Sequence, residues 1–255
     1  MSAILVARVG PLAIVTLNRP EKRNALAMPH WLELGRTLRE LGGDATVRAI
    51  ILTGAGGQFC AGADIAEFDS TRGNAEAGDA YTRAVDSAGE AILALEKPAI
   101  AAIEGNCFGG GCGLAMDCDM RIAARSARFG VPAAKLNIVY NARDTRSLLS
   151  LVGPAHAKRI LFTGDALDAE TAHRIGLVDE LAEAPLEAAR KLAMRIAENA
   201  PWSVGSAKAI LNTLIAGKDA QDLADARSRK ALESDDYKEG RRAFREKRKP
   251  RFTGR

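Results

Sequence analysis

The first residues that suggest chemistry are three consecutive glycines at positions 109–111, which lie between two short apolar runs. The runs Ala99–Ile103 and Met120–Ala124 predict buried strands, and the segment directly after the glycines predicts a short helix. Glycine lets the backbone approach a ligand closely, and the free N–H groups at a helix start favour developing negative charge. Taken alone, the stretch is equally compatible with a turn whose glycines serve only tight packing.

A second glycine-rich stretch, Gly54–Asp64, follows the apolar run Ala49–Thr53 in the same way. It predicts a strand, a glycine-rich loop and then a helix start at Asp64, whose carboxylate is suited to capping that start. Two such units can each direct one backbone N–H at the same carbonyl oxygen, which is the physical content of an oxyanion hole. The pair of loops, in this order, is a much stronger indication than either loop alone.

The motifs F-C-A-G-A-D-I and G-N-C-F-G-G-G-C-G-L-A-M-D-C-D resemble the crotonase superfamily, the enoyl-CoA hydratase/isomerase family, and the likeness runs from Arg19–Leu26 to Glu239–Pro250. The resemblance implies an oxyanion hole formed by the backbone N–H groups of Ala63 and Gly110, which would stabilise the enolate of an acyl-coenzyme A thioester. Coenzyme A would enter as part of the substrate, and no permanently bound cofactor or metal is expected.

The resemblance also assigns contacts with the acyl-CoA to Lys22, Arg23, Ala25, Ala61, Asp64, Ile65, Gly109, Phe244 and Lys247. In this assignment Lys247 would meet a phosphate and Phe244 would border the adenine, often from a neighbouring subunit. For Lys22 and Arg23, ordinary surface charge is an equally good interpretation.

The family's two catalytic glutamates are absent from the matching positions. Hydratases of the family carry them in G-G-G-C-E and F-G-x-P-E, where this chain has Gly113 and Ala133. Two carboxylates are needed because one activates water and the other protonates the α-carbon. We therefore expect that the protein is not an efficient two-glutamate hydratase.

Tyr140 and Asp144 are the polar candidates that remain. The pair Tyr140-Asn141 resembles the superfamily's methylmalonyl-CoA decarboxylase, in which loss of CO2 generates the enolate without a strong base. Asp144 is a candidate replacement acid or base, and Arg143 or Arg146 could pair with a substrate carboxylate. The alternatives are a packing tyrosine and an aspartate that merely starts a helix between exposed arginines.

The elements that must position these residues form a mixed α/β core with a helical C-terminal third. The resemblance implies a spiral of ββα units in residues 1–184, which would carry the acyl-CoA site, and a helical trimerisation and CoA-covering region in 185–255. Apart from the runs above, the predicted elements are the strands Ile4–Val9, Leu12–Leu17 and 177–178, and the helices Trp31–Leu41, Tyr81–Leu95, Leu148–Phe162, Asp168–Ile175, Pro185–Asn199, Trp202–Ala216, Asp219–Leu232 and Asp235–Lys249. Asp117 and Asp119 are expected to tie the glycine-motif helix to the next strand.

Composition narrows the partners and the compartment. The chain has 255 residues, no apolar run of membrane-spanning length, no secretory leader pattern and four cysteines without metal-site spacing, which favours a cytoplasmic protein with structural thiols. The basic segment Lys238–Arg255 fits a CoA phosphate better than nucleic acid, because few aromatic residues are interleaved with its charges. We expect an acyl-CoA-processing lyase or isomerase that forms a homotrimer or a dimer of trimers, without nucleic-acid or membrane partners. Its rival is a non-catalytic acyl-CoA-binding protein that retained the thioester pocket.

Overall fold

The structure, a computed structural model, describes residues 2–71 and 73–255. Its strands are β1 (Ile4–Val9), β2 (Leu12–Leu17), β3 (Ala49–Gly54), β4 (Ala99–Ile103), β5 (Asn106–Phe108), β6 (Met120–Ala123), β7 (Arg128–Gly130), β8 (Leu167–Asp168) and β9 (Glu180–Leu181). Its α-helices are α1 (Met28–Gly43), α2 (Phe68–Thr71), α3 (Ala75–Leu93), α4 (Gly110–Asp117), α5 (Ala142–Thr163), α6 (Ala169–Arg174), α7 (Pro185–Ala197), α8 (Pro201–Ile215), α9 (Gln221–Glu233) and α10 (Asp235–Glu246). The mixed α/β class with a helical C-terminal region is confirmed.

The main sheet has six strands in the order β1-β2-β3-β4-β6-β9, and every neighbouring pair except β1-β2 is parallel. Its residues are apolar in succession because both faces are covered. Along β2, for example, Ala13 and Val15 face a core that includes α1 and α3, whereas Leu12 and Ile14 face α7. The loops that leave β3 and β4 therefore emerge at the same edge of a sheet held rigid from both sides.

A second sheet, in the order β5-β7-β8, lies beside these loops. Cys107 of β5 also forms a bridge with Cys60, so the loop after β3 is attached to this sheet. The sequence did not predict these three short strands, since strands of two or three residues carry too little periodicity to be recognised. Their function is to fix the path of the backbone directly before Gly110.

Three predicted elements are wrong in position. The helix predicted from Tyr81 begins at Ala75, where the Asn74 side chain accepts a hydrogen bond from the Ala77 N–H (2.9 Å). Leu177 and Val178 do not form a strand, because both of their N–H groups donate to the carbonyl of Ala172 and close the end of α6; pairing with β6 begins only at Glu180. The helix predicted from Leu148 begins at Ala142, where the Asn141 side chain accepts a hydrogen bond from the Asp144 N–H (2.7 Å) and caps the start.

The C-terminal helices α7 to α10 confirm the predicted run of helices, although α10 ends at Glu246 instead of Lys249. The tail is pinned to the body of the protein by the buried carboxylate of Asp236, which accepts from the N–H groups of Thr253 (2.7 Å) and Gly254 (2.8 Å). A division between residues 184 and 185 stays a prediction. Among the described residues, no helix combines the length and apolarity needed to cross a bilayer.

Candidate active site

The loop after β3 is held so that the N–H of Ala63 points away from its neighbouring strand segment. Leu26 donates its N–H to the Gly62 carbonyl (2.8 Å) and accepts from the Asp64 N–H (3.0 Å), and together these bonds form a parallel bridge opposite Ala63. In such a bridge the residue between the two bonded neighbours turns its own polar groups to the other side. The Ala63 N–H is thereby left directed away from Leu26.

The loop after β4 and β5 comes against this segment at Gly110, the first residue of α4, whose N–H belongs to the set that a helix leaves without an internal partner. The contact is close because residue 62 has no side chain. A Cβ on Gly62 would lie 2.7 Å from the Phe108 carbonyl oxygen and 3.1 Å from the Gly110 nitrogen, and Gly62 also has a φ of +96°. The two loops predicted to cooperate are thus brought together.

Ala63 and Gly110 both line one cavity of about 180 Å³. Its wall next to Gly110 is aromatic: the indole N–H of Trp31 donates to the Leu26 carbonyl (3.0 Å), and Phe68 packs edge-on against Tyr81. Further around, the lining is mainly apolar, with a polar end formed by Tyr140, Asn141 and Asp144; the other lining residues are Ala61, Ile65, Thr82, Val85, Gly109, Val131, Pro132, Ala133, Leu136, Ile138 and Val139. This composition is typical of a small-molecule site.

Asp144 occupies the space that a side chain at position 113 would take. A Cβ on Gly113 would lie 2.5 Å from Asp144 Oδ2 and 2.9 Å from its Cγ, so the carboxylate fits against the bare backbone of α4. Asp144 is only 1 % exposed, yet it lines the cavity. The Asp144 carboxylate from α5 can therefore pack here because position 113 has no side chain.

Arg143 contacts the Asp144 carboxylate on the side away from the cavity, and it also contacts the carboxylates of Asp86 and Asp117. Its guanidinium donates to Asp144 Oδ1 (2.8 and 3.0 Å) and to Asp86 Oδ1 (3.0 Å), and its Nε lies 3.2 Å from Asp117 Oδ2. Arg143 does not line the cavity, and Arg146 is exposed and does not line it either. The hypothesis that one of these arginines binds a substrate carboxylate therefore gains no support from this geometry.

The two buried carboxyls beside Arg143 are shifted in the same direction. Burial raises the pKa of the Asp117 carboxyl to about 7, although Arg143 opposes the rise and the charge of Asp144 adds to it. Burial also raises the pKa of Asp144, against the opposing effects of Arg143 and of the Asn141 amide (Nδ2 to Oδ2, 3.1 Å). A carboxyl with a raised pKa in an apolar cavity is a stronger base than an exposed one.

Tyr140 is half-buried at the cavity wall, and its hydroxyl donates to the Gly109 carbonyl (3.2 Å). The same carbonyl accepts from the Gly113 N–H, so the phenol helps to hold the turn that presents Gly110. Burial and the neighbouring charge of Asp144 raise the pKa of the phenol well above its ordinary value. Tyr140 is therefore a neutral hydroxyl at the site.

The carboxylate of Asp64 does not cap the helical turn that follows it. It accepts instead from Arg19 (3.1 Å) and Lys22 (3.3 Å), and these two cations, against the effect of burial, hold its pKa below the ordinary value. Ala25 lies in the same loop and accepts from Arg19 through its carbonyl (2.6 Å), while Arg23 accepts from the Ala61 N–H (2.9 Å). The segment containing residues 22–25 is thus attached to the loop after β3.

The remaining predicted contact residues divide into two groups. Ala61, Ile65 and Gly109 line the cavity, whereas Phe244 and Lys247 do not. Phe244 is 85 % exposed on α10, and Lys247 follows directly after that helix. Within one chain, the adenine and phosphate contacts predicted for these two residues are not brought to the acyl cavity.

The aspartates that end the glycine motif have functions other than the predicted one. Asp119 accepts from the Ala99 N–H (2.7 Å) and from Lys208 (2.9 Å), so it connects the start of β4 to α8. Asp117 faces Arg143, a role that the sequence reasoning missed. A signal was present: Asp117 lies four residues after Gly113 and so on the same face of α4.

The cysteines near the site are buried thiols. Burial raises the pKa of Cys60 and of Cys118 to about 12, and that of Cys107 well above its ordinary value. Thiols in this state are poor nucleophiles, because the thiolate is the reactive form. They fill the core behind the two loops, as expected of structural thiols.

A model of the enoyl-CoA hydratase/isomerase family matches residues 9–255. The chain belongs to this family. It is 38 % identical over 260 residues to a probable enoyl-CoA hydratase of Bacillus subtilis, with 100 % of both chains covered. It is also 38 % identical over 215 residues to a short-chain-enoyl-CoA hydratase of Clostridium acetobutylicum, with 83 % of this chain and 82 % of the relative covered.

Solved structures of the family share the fold. A putative enoyl-CoA hydratase/isomerase family protein from Hyphomonas neptunium superimposes with a TM-score of 0.95 at 42 % identity, covering 100 % of this chain and 98 % of that one. An enoyl-CoA hydratase from Bacillus anthracis gives a TM-score of 0.91 at 34 % identity, with 100 % of both chains covered. The crotonase-type fold expected from the two glycine motifs is therefore confirmed.

Proposed function

We propose that this protein stabilises the enolate of an acyl-CoA thioester at the N–H groups of Ala63 and Gly110, and that Asp144 transfers the proton of the α-carbon. The observation that carries the proposal is that the Asp144 carboxylate fills the space beside Gly113 and lines the same cavity as the two N–H groups. One carboxylate suffices for this proton transfer, whereas hydratases of the family use a second one to activate water.

The chemistry follows from charge that appears only during the reaction. When Asp144 removes the α-proton, the electron pair of the C–H bond moves onto the thioester oxygen. The two backbone donors stabilise this oxyanion, and such a donor contributes about 10²–10³-fold in rate. Return of the proton to another carbon isomerises the acyl chain, and return to the same carbon exchanges its hydrogen. Tyr140 fixes the Gly109 carbonyl, and thereby the donor at Gly110, and can hydrogen-bond the substrate as a neutral phenol.

The cavity supports a short acyl group. Its volume is about 180 Å³, and an engineered apolar cavity of about 150 Å³ holds benzene, so an acyl chain of roughly six carbons or fewer fits. Decarboxylation through Tyr140 is less well supported, because the residues of the described chain that line the cavity include no lysine or arginine to receive a second substrate carboxylate.

The test is exchange of the α-hydrogens of butyryl-CoA in D2O, followed by mass spectrometry, together with isomerisation of a short 3-enoyl-CoA. We expect both in the wild type and a loss of at least about 100-fold in Asp144→Asn, with a smaller loss in Tyr140→Phe. Asp165→Asn, which changes an exposed aspartate paired with Lys135, serves as the control and should retain full activity.

Three outcomes would redirect the assignment. Full activity in Asp144→Asn overturns the proposed base. Release of CO2 from methylmalonyl-CoA, lost in Tyr140→Phe, would favour the decarboxylase alternative. Tight binding of butyryl-CoA without exchange, isomerisation or hydration of crotonyl-CoA would favour a non-catalytic acyl-CoA-binding protein.

A further inference from the structure

Behind the acyl cavity lies a cluster with more acids than bases: Asp86 from α3, Asp117 from α4, and Arg143 and Asp144 from α5. One guanidinium contacts all three carboxylates. If every group were ionised, the cluster would carry a net charge of −2 in a place where Asp117 and Asp144 are 2 % and 1 % exposed. Burying an uncompensated charge is costly, and a proton on one carboxyl is the cheapest way to reduce it.

The packing of the helices places Asp117 and Asp144 next to each other. Positions 113 and 117 are one turn apart on α4, roughly 5–6 Å between their Cβ atoms, and the Asp144 carboxylate sits where the Cβ of residue 113 would be. From the facing helix α5, Ser147 also reaches Asp117, with its hydroxyl 3.3 Å from Oδ1. The two carboxyls therefore share one helix face and one guanidinium.

The other oxygen of Asp117 has no donor. Its Oδ2 atom is buried and accepts no hydrogen bond from the described part of the chain, although Arg143 Nε lies 3.2 Å away. Helix α3 closes the site on that side, because a Cβ on Gly89 would overlap both Asp117 Oδ2 and the Arg143 guanidinium. A bare carboxylate oxygen in such a place is poorly satisfied, whereas a carboxylic acid needs fewer donors.

We propose that Asp117 and Asp144 hold one proton between them beside Arg143, and that Asp117 thereby sets the strength of Asp144 as the base of the acyl cavity. The proposal rests on the function proposed above. Asp117 acts through Asp144 and is a positioning residue, since it does not line the cavity. With the shared proton on Asp117, Asp144 is the free carboxylate that receives the α-proton. The cluster then passes from a net charge of −1 to 0 while the enolate takes up the negative charge.

Ionisable groups come from every element packed around Asp144 and Tyr140. They are Asp86 on α3, Asp117 on α4, Arg143 on α5 and Tyr140 before α5, with the thiols of Cys112 on α4 and Cys107 on β5 near the Tyr140 phenol. Of these, the Cys107 thiol and the Tyr140 phenol stay neutral around pH 7, because burial raises their pKa values well above the ordinary ranges. Asp117, one turn from the position on α4 against which the Asp144 carboxylate lies, is therefore the group assigned to exchange a proton with Asp144.

The experiment is the pH profile of α-hydrogen exchange in butyryl-CoA, measured for the wild type and for Asp117→Asn. An asparagine at 117 removes the second group that titrates in this pair. We therefore expect the activity of the wild type to change with pH in two steps, as the two carboxyls lose their protons in turn, and that of Asp117→Asn to change in one step, with the step at higher pH absent. Ser147→Ala, which removes a hydrogen bond to Asp117 but no charge, should shift the profile much less.

The outcomes separate this inference from the proposed function. If Asp144→Asn abolishes exchange but Asp117→Asn leaves the profile in place, the shared proton is wrong and the proposed base stands. If Asp144→Asn keeps the activity, the proposed function itself fails. Should Asp117→Asn not fold, carboxyl ¹³C NMR titration of the full-length wild type decides: an aspartate, absent in Asp144→Asn, that titrates well above the exposed aspartates supports the proposal, and uniformly ordinary titration overturns it.

Discussion

At the scale of single residues, the site depends on a side chain that is missing. Gly113 leaves a gap on α4, and the Asp144 carboxylate fills it while three hydrogen bonds from Arg143 and Asn141 keep it there. A methyl group at position 113 would compete for the same space, with its carbon 2.5 Å from Asp144 Oδ2. The glycine is thus required by the aspartate.

Gly113→Ala is expected to reduce α-hydrogen exchange by about 100-fold, because Asp144 must leave its position relative to the cavity. Overpacking should lower the free energy of unfolding by about 1–3 kcal/mol, partly offset by the helix preference of alanine, about 1 kcal/mol. Gly43→Ala, at the end of α1 with open space around it, is the matched control and should leave activity unchanged. The measurements are exchange rates and urea unfolding. Undiminished exchange in Gly113→Ala would contradict the placement of the base.

The candidate site residues could be predicted from the sequence, but the side-chain contacts that hold them could not. Ala63, Gly110, Tyr140 and Asp144 do line one cavity. Arg143 was one of two arginines that could have paired with a substrate carboxylate, and it is instead enclosed by carboxylates from three helices. One of these contacts joins Asp86 and Arg143, which are 57 positions apart in the chain, and no local pattern records which helix faces meet.

At the scale of elements, the proposed oxyanion hole lies between two strand–loop–helix units that touch. The touching point is Gly62, which lies too close to Phe108 and Gly110 for any side chain and has a left-handed backbone conformation. Repeated glycines therefore serve the approach of one loop to the other as well as the approach of a ligand.

We expect Gly62→Ala to separate the two loops and reduce turnover by about 100-fold or more, as when an oxyanion donor is lost. The strained φ and the contact with the Phe108 carbonyl should also lower stability by about 1–3 kcal/mol. Gly78→Ala, within α3 and with nothing near its new Cβ, should instead leave turnover unchanged and stabilise the protein by about 0.5–1 kcal/mol. If Gly62→Ala and Gly78→Ala showed the same exchange rate and the same thermal stability, the contact between the two loops would not be required for turnover or stability.

The elements themselves were predictable where their pattern is long. The strands Ile4–Val9 and Leu12–Leu17 have the predicted bounds, since six apolar-rich residues on either side of a Gly-Pro turn leave little choice. The strands β5, β7 and β9 were missed or displaced, because they owe their conformation to partners distant in sequence. Tertiary pairing, which a local pattern does not contain, decides such cases.

At the scale of the whole molecule, several exposed apolar residues lie on two of the C-terminal helices. Leu211, Leu214 and Ile215 on α8 and Leu232 on α9 are each about half exposed. A surface of this kind is where neighbouring copies of the chain would pack in the proposed homotrimer. Phe244 lies on α10 in the same C-terminal region and is 85 % exposed, so in such an assembly it would be accessible to a neighbouring copy.

The free energy of unfolding of the protein should depend on pH because a buried carboxyl group holds a proton. Burial raises the pKa of Asp117 from 3.8 to about 7 in the folded protein. The folded state then binds more protons than the unfolded state in this window, so the contribution of Asp117 to stability is full below about pH 4 and is lost as the pH rises through about 7. An asparagine does not titrate. The stability of Asp117→Asn relative to the wild type should therefore increase from pH 5 to pH 8, by at most about 1.4 kcal/mol per unit of pH.

Urea unfolding of both proteins at one fixed protein concentration, between pH 5 and pH 8, measures this slope. A constant offset is expected as well, because an amide packs and hydrogen-bonds differently from a carboxyl group. The ion pair with Arg143 forms only while Asp117 is ionised, so its loss belongs to the pH-dependent part of the difference. Asp165→Asn is the control, because Lys135 lowers the pKa of that exposed carboxyl and its titration lies below the window. A difference between Asp117→Asn and the wild type that stays flat across the window would mean that Asp117 is ionised in the folded protein, and Asp144 would then have no proton to share.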